Sequence, residues 1–222
     1  LQYALPDFLV EWSVANTHVP VSFWRAPGAA QNTFFAESFF DELCAAGGKD
    51  PVEARRRLLA KSPRLLNVLN IAAEKAGWGT PLPAGRARGV ALGANVGSFN
   101  AQIAEVSVTN GRVRVHRVVC AMDAGQIINP HILRQQIEGG IIYGLSATLK
   151  GQITIERGRV KESNFNQHDM MRMDEAPQVD IILVESTERP TGAGEATNPT
   201  TVPAVINAIY AATRRRIRTL PV

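Results

Sequence analysis

Gln102-Ile103-Ala104-Glu105-Val106-Ser107-Val108-Thr109, then Asn110-Gly111, then Arg112-Val113-Arg114-Val115-His116-Arg117-Val118-Val119 is the stretch that decides the fold class. Both flanks are rich in Val and Ile. Asn-Gly between two such runs suits a two-residue hairpin, because both turn residues of that hairpin need a positive φ. Val113 and Val115 alternate with Arg112, Arg114 and His116. A period of two sends successive side chains to opposite faces, so the hairpin is expected to sit in an antiparallel sheet with one solvated face.

Outward from the hairpin the period changes. Upstream, after Pro27-Gly28, the stretch from Gln31 to Ala46 places Phe35, Phe39 and Leu43 at every fourth position, the apolar face of an amphipathic helix that Gly47-Gly48 ends. Asp50-Pro51-Val52-Glu53 offers an N-cap, a first-turn proline and an acid, which starts a second helix running to about Ala60. Ser62-Pro63 caps a third, carrying Leu66, Leu69 and Ala73 and ending near Gly77. Downstream, Asn129-Pro130 opens a helix through about Tyr143, while Ile153-Thr154-Ile155 and Val179 to Val184 read as strands. Pro203 to Arg216 reads as a closing helix with Ile206, Ile209 and Tyr210 inward. The class is α+β, with mixed and antiparallel sheets and packed helices. Pro and Gly concentrate in Gly77 to Arg88, the weakest point of the chain. The expected division is residues 1–85, an extended segment with helices, and residues 86–222, an α+β C-terminal domain.

Composition narrows the function classes. The 222 residues are 45% hydrophobic and 20% charged, enough to bury a core of ordinary size. The formal charge of +4 owes much to two Arg-rich patches, Arg55-Arg56-Arg57 and Arg214-Arg215-Arg216 with Arg218. No aromatic residues alternate with these arginines and no nucleic-acid-binding pattern accompanies them, so solvated helix faces or subunit contacts are expected. The two cysteines, Cys44 and Cys120, lack the close spacing of a redox or metal motif, and the four histidines are scattered. No protein-ligated metal is therefore expected, and any iron–sulfur cluster belongs on another chain. Leu1-Gln2-Tyr3 has neither an initiator Met nor a signal peptide, as expected of a processed or partial chain.

Three segments are able to carry chemistry. The first is Gly192-Ala193-Gly194-Glu195, inside the long connection from Thr187 to Thr201. Glycines let a backbone approach a bulky ligand, and a carboxylate among them can serve as a general base, although an ordinary solvated loop Glu has the same sequence. The second is Phe23-Trp24-Arg25-Ala26-Pro27-Gly28, whose guanidinium and turn amides suit a phosphate or oxyanion; a buried Trp beside a surface Arg is the plainer reading. The third runs from Asp123-Ala124-Gly125 through Asn129-Pro130 to Gln136-Ile137-Glu138-Gly139-Gly140 and could read a heterocycle edge, or merely cap and pack a helix. Gly89, Gly93 and Gly97 have neither P-loop nor dinucleotide-fingerprint spacing, which excludes those sites.

In this order the segments resemble the molybdenum-binding subunit of the xanthine oxidase/aldehyde oxidoreductase family. The likeness is carried by the Arg25 loop, Asp41-Glu42-Leu43 with Asp50-Pro51 and Arg55, Ala104-Glu105-Val106, Asp123 through Pro130, Gln136 through Leu145, and Gly192-Ala193-Gly194-Glu195. Arg172-Met173-Asp174-Glu175-Ala176-Pro177 and the ending Arg216-Ile217-Arg218-Thr219-Leu220-Pro221 resemble the isoquinoline 1-oxidoreductase β-subunit type, which includes bacterial membrane-associated aldehyde dehydrogenases. The family's Met-Gly-Gln-Gly and Gly-Gly-Gly-Phe-Gly-Gly motifs do not occur, so the chain is expected to be the C-terminal part of a larger molybdopterin-binding subunit. The Arg25 loop departs from the family's Phe-Arg-Gly-Phe pattern, and Tyr3-Ala4-Leu5-Pro6 lacks the following Arg of purine-oxidising members.

The resemblance implies a molybdenum centre on a pyranopterin, as molybdopterin cytosine dinucleotide shared with another chain, and oxidation of an aldehyde or N-heteroaromatic substrate with water-derived oxygen. By motif match Glu195 is the catalytic base. Trp24, Arg25, Ala26, Gln136, Ala193 and Gly194 are the cofactor-binding candidates. Implied partners are the chain supplying the N-terminal half of the subunit, an iron–sulfur subunit carrying [2Fe-2S] clusters and a cytochrome c subunit; the implied place is the periplasm or the periplasmic face of the inner membrane. The alternative is a non-catalytic structural subunit that retains the fold.

Overall fold

The computed structural model describes residues 2–222. Helices α1 (Ala29–Ala46), α2 (Pro51–Leu58) and α3 (Pro63–Lys75) precede three long strands, β1 (Arg86–Asn95), β2 (Ser98–Thr109) and β3 (Arg112–Asp123). Helix α4 (Pro130–Leu149), a short hairpin of β4 (Ile155–Glu156) and β5 (Arg159–Val160), strand β6 (Gln178–Leu183) and helix α5 (Asn198–Thr213) follow. The main sheet has the order β1-β2-β3-β6, antiparallel except that β6 runs parallel to β3. The class is α+β, and the sheet is mixed.

The hairpin that decides the class forms as its sequence requires: Asn110 and Gly111 take φ of 51° and 79°, and Thr109 pairs with Arg112. The expected solvated face is corrected. Alternation holds only near the turn, and from Val118 to Asp123 every residue of β3 is buried. One face of the sheet meets α5 and α4 through Ala104, Val106, Val118, Cys120 and Met122. The other meets α3 through Val90, Leu92, Ile103, Val119 and Ala121. A strand covered on both faces reads as a near-continuous apolar run, which is what Val118-Val119-Cys120-Ala121-Met122 is.

Helix α5 begins at Asn198, five residues before the expected start at Pro203, with Pro199 in its first turn and Pro203 inside. Everything from Asn198 to Ile209 is buried, because α5 lies between β1 and β2 on one side and α1 and α4 on the other. Strand β1 supplies the room. A Cβ added at Gly89 would lie 2.1 Å from the Ala208 nitrogen and 2.4 Å from the Ala204 carbonyl oxygen; one at Gly93 would lie 2.7 Å from Thr200. These glycines, excluded as ligand motifs, let a helix backbone rest on a strand. Gly89→Ala is therefore expected to cost about 1–3 kcal/mol, since the opposing atoms are backbone and cannot rotate away; an unchanged denaturation midpoint would contradict this contact.

Helix α1 turns the other way from its expected apolar face. Phe35, Phe39 and Leu43 are 60%, 58% and 54% exposed, while Phe34, Glu37, Asp41 and Cys44 are buried. Cation partners select this rotation. Arg55 donates from Nε to Glu37 at 3.0 Å and from Nη2 to the Glu37 carbonyl, and both side chains are buried. Arg216 donates to the Asp41 carboxylate at 2.7 Å and lies over the Tyr210 ring, and Arg218 pairs with Glu42. Thus Arg55 and Arg216 are not on solvated faces, as their runs suggest, but tie α1 to α2 and to the C-terminal segment. Burial lowers the proton affinity of the Arg55 guanidinium, yet Glu37 beside it outweighs that and raises its pKa, so the guanidinium stays charged.

Candidate functional site

The loop between β6 and α5 carries Glu195, and strand β2 fixes its path. Ser98, Asn100 and Gln102 point to one face at period two, and all three are wholly buried. The Ser98 hydroxyl donates to the Gly192 carbonyl at 2.6 Å, Asn100 Nδ2 to Ala196 at 2.9 Å and Gln102 Nε2 to Thr197 at 2.7 Å. Asn95 adds a donor to the Glu195 carbonyl at 3.2 Å. Such bonds satisfy carbonyls that have no ladder partner and hold a glycine-containing loop in one shape.

Onto this loop comes the segment before α1. Arg25 donates from Nε to the Gly194 carbonyl at 2.7 Å, reinforced from Nη2, which also reaches Gln136 Oε1 on α4 at 3.4 Å. The Ala26 backbone N–H donates to Glu195 Oε2 at 2.9 Å. Asn198, the first residue of α5, donates from Nδ2 to the Arg25 carbonyl at 2.9 Å. Trp24, exposed, stacks on Tyr143 of α4 with ring centroids 4.8 Å apart. The structure therefore brings Trp24, Arg25, Ala26, Gln136, Gly194 and Glu195 together from three distant segments. Ala193 sits in the same loop, half-buried against the main core.

Glu195 is half-buried, with Oε2 bonded to Ala26 and Oε1 accepting no hydrogen bond among the described residues. One oxygen is thus held and the other open to a proton. The surrounding donors are amides and a guanidinium, partners for oxygen or nitrogen atoms of an organic ligand. Among the described residues no group of three His, Cys, Asp or Glu is placed to hold a metal ion.

Elsewhere the plain readings hold. Asp123 receives two hydrogen bonds from Arg64 at 2.7 and 2.6 Å and accepts from the Gly125 N–H. The Arg64 bonds lower its pKa against burial, as suits a structural ion pair. Gly125 is there for clearance, since a Cβ would lie 2.1 Å from the Arg189 carbonyl oxygen. Cys120 is buried among apolar groups, which pushes its thiol up to about 12, and burial raises Cys44 as well. Neither is a reactive thiolate at neutral pH.

The chain is similar to known proteins. The family described as a molybdopterin cofactor-binding domain matches residues 70–177. The chain is 33% identical, over 99% of its length, to the beta chain of the isoquinoline 1-oxidoreductase of Brevundimonas diminuta. It is 34% identical, over 92% of its length, to one of the subunits of the nicotinate dehydrogenase of Pseudomonas putida. The chain belongs to the molybdenum-binding subunits of the xanthine oxidase family. It spans 29% and 19% of the length of those two relatives. The aldehyde oxidoreductase of Desulfovibrio gigas shares the fold, with a TM-score of 0.76 at 16% identity over 92% of this chain and 41% of that one.

In this molybdenum-subunit chain the sequence reading missed Asn198, Tyr143 and the Ser98, Asn100, Gln102 row. The signal for the row was present, because polar residues alternate there with Phe99, Ala101 and Ile103. That same alternation marks a solvated face, and only the position of the loop distinguishes the two. Tyr143 lay in the helix already singled out, seven residues after Gln136, and so on the same face.

Proposed function

We propose that this chain supplies the general base of a molybdenum hydroxylase, which oxidises an aldehyde or N-heteroaromatic ring at an electron-poor carbon using oxygen from water. The convergence of Glu195 with the Arg25-Ala26 peptide and Gln136 carries this reading. When bound, the molybdenum pterin would supply the two-electron redox chemistry, with an iron–sulfur subunit as the onward acceptor. Glu195 holds the proton released, at Oε1, while the Ala26 N–H keeps Oε2 in place. Arg25 fixes the Gly194 carbonyl and so the approach of the loop. Gln136 has an amide Nε2 without a partner among the described residues, and exposed Gly192 and Gly194 offer backbone without a Cβ; these would hold the pterin, in its cytosine dinucleotide form. The names of the two relatives, isoquinoline and nicotinate, favour the N-heteroaromatic class.

The rest of the site, in this reading, comes from the part of the molybdenum protein outside this chain. Phe35, Phe39 and Leu43 form an exposed row, of which Phe35 and Phe39 line a cavity of about 660 Å³ together with Val10, Leu92 and Ala94, and such a row is unusual on a finished surface. We assign the covering of this row to that part, and the assembly to the periplasm. Cell fractionation that finds the molybdenum protein in the cytoplasm would overturn the compartment. The functional reading is tested by metal and pterin analysis of the purified complex containing the whole molybdenum protein. Stoichiometric molybdenum with pterin is expected; its absence would favour a chain that keeps the fold without the chemistry.

A further inference from the structure

The structure assigns to Asn198 the setting of Glu195, through the single peptide that joins Arg25 to Ala26. This assignment rests on Glu195 being the base. That peptide is gripped from both sides. Its carbonyl accepts from Asn198 Nδ2 at 2.9 Å, and its N–H donates to Glu195 Oε2 at 2.9 Å. Ala26 has a φ of 65° and is wholly buried. An alanine disfavours this left-handed conformation because its Cβ crowds the neighbouring carbonyl. Left alone, the peptide would turn over, moving Ala26 to a negative φ and aiming its N–H away from the carboxylate. Asn198 opposes that turn.

Two further features fit a device that points the carboxylate. Asn198 is wholly buried, and its Oδ1 has no partner among the described residues. A half-satisfied buried amide is costly, so its packing alone would be better served by an apolar side chain. Its one bond is the bond to Arg25. The Arg25 side chain meanwhile grips the Gly194 carbonyl, on the peptide that leads into Glu195. Both ends of the Ala26–Glu195 hydrogen bond are therefore fixed, one by Arg25 and one by Asn198. Asn198 touches no reacting atom and is a positioning residue.

The test uses Asn198→Leu, which keeps the volume and removes the donor, with Asn198→Ala as a second variant, each in the assembled, molybdenum-loaded complex. Turnover is expected to fall about tenfold, the effect of one hydrogen bond that no longer holds the base, with KM, metal content and melting temperature close to the parent. In the Glu195→Gln background the same substitution should change nothing further, because its effect passes through the carboxylate. A crystal structure of Asn198→Leu should show the 25–26 peptide turned and Ala26 at negative φ. An equal loss in both backgrounds would make Asn198 a structural residue, and full turnover would remove its role; either overturns the assignment. If Glu195→Gln itself keeps normal turnover, the base reading fails. The crystal structure still decides whether Asn198 holds the peptide, and an unturned peptide there overturns the assignment independently.

Discussion

If Glu195 is the base proposed above, Glu195→Gln is expected to lower turnover of the assembled enzyme by roughly 10²- to 10⁴-fold, the contribution of a positioned general base, and to leave its molybdenum and pterin bound. The substitution is selective because glutamine keeps the length and volume of glutamate. Its side-chain oxygen still accepts from the Ala26 N–H, the bond that places Oε2 at 2.9 Å. The loop carbonyls remain pinned by Ser98, Asn95 and Asn100, none of which touches the carboxylate. What is lost is an oxygen able to take a proton. Turnover per bound molybdenum is the quantity to measure, since it separates loss of chemistry from loss of cofactor. A variant with near-parental turnover per metal would remove Glu195 from the mechanism and leave it a loop residue.

Arg55→Met is expected to destabilise the whole molybdenum protein by about 3–5 kcal/mol, the cost of leaving a buried charge without its counter-ion. Glu37 is 3% exposed, and after the change only the Tyr3 hydroxyl and the Leu92 N–H would face its carboxylate. The effect spreads, because this cluster joins five parts of the chain: Tyr3, α1, α2, β1 at Leu92, and α5 through Asn207, which donates to the Glu37 carbonyl. Replacing both partners at once, Glu37→Leu with Arg55→Met, should recover much of the loss, as apolar substitutes for buried ion pairs often do. Denaturant midpoints of the two variants check both statements. A single variant as stable as the parent would show that the Arg55–Glu37 pair does not hold these parts together.

How much was legible in the sequence depended on whether a signal was local. Asp50 accepts from the Val52 and Glu53 amides at 2.9 Å as its motif predicts, and Asn110-Gly111 closes its hairpin in register, because each depends on neighbours a few residues away. The rotation of α1 was not legible. The spacing of Phe35, Phe39 and Leu43 marked an apolar face correctly, but which face turns inward was settled by Arg55 and Arg216, far along the chain. Strand β1 was hidden by its glycines, whose purpose is visible only once α5 lies across them. At the site, Trp24, Arg25, Gln136 and Glu195 were named from motifs, and the structure places them together. Asn198 was hidden behind an expected helix start five residues too late.

Ser98, Asn100 and Gln102 of β2, with Asn95, Arg25 and Asn198, all belong to this chain, and among them they grip the loop from Gly192 to Thr197 and the peptide that meets Glu195. The aim of the carboxylate is thus a self-contained property that travels with these residues. A graft joining this stretch to the leading portion of a different relative should therefore carry the aim of the carboxylate with it.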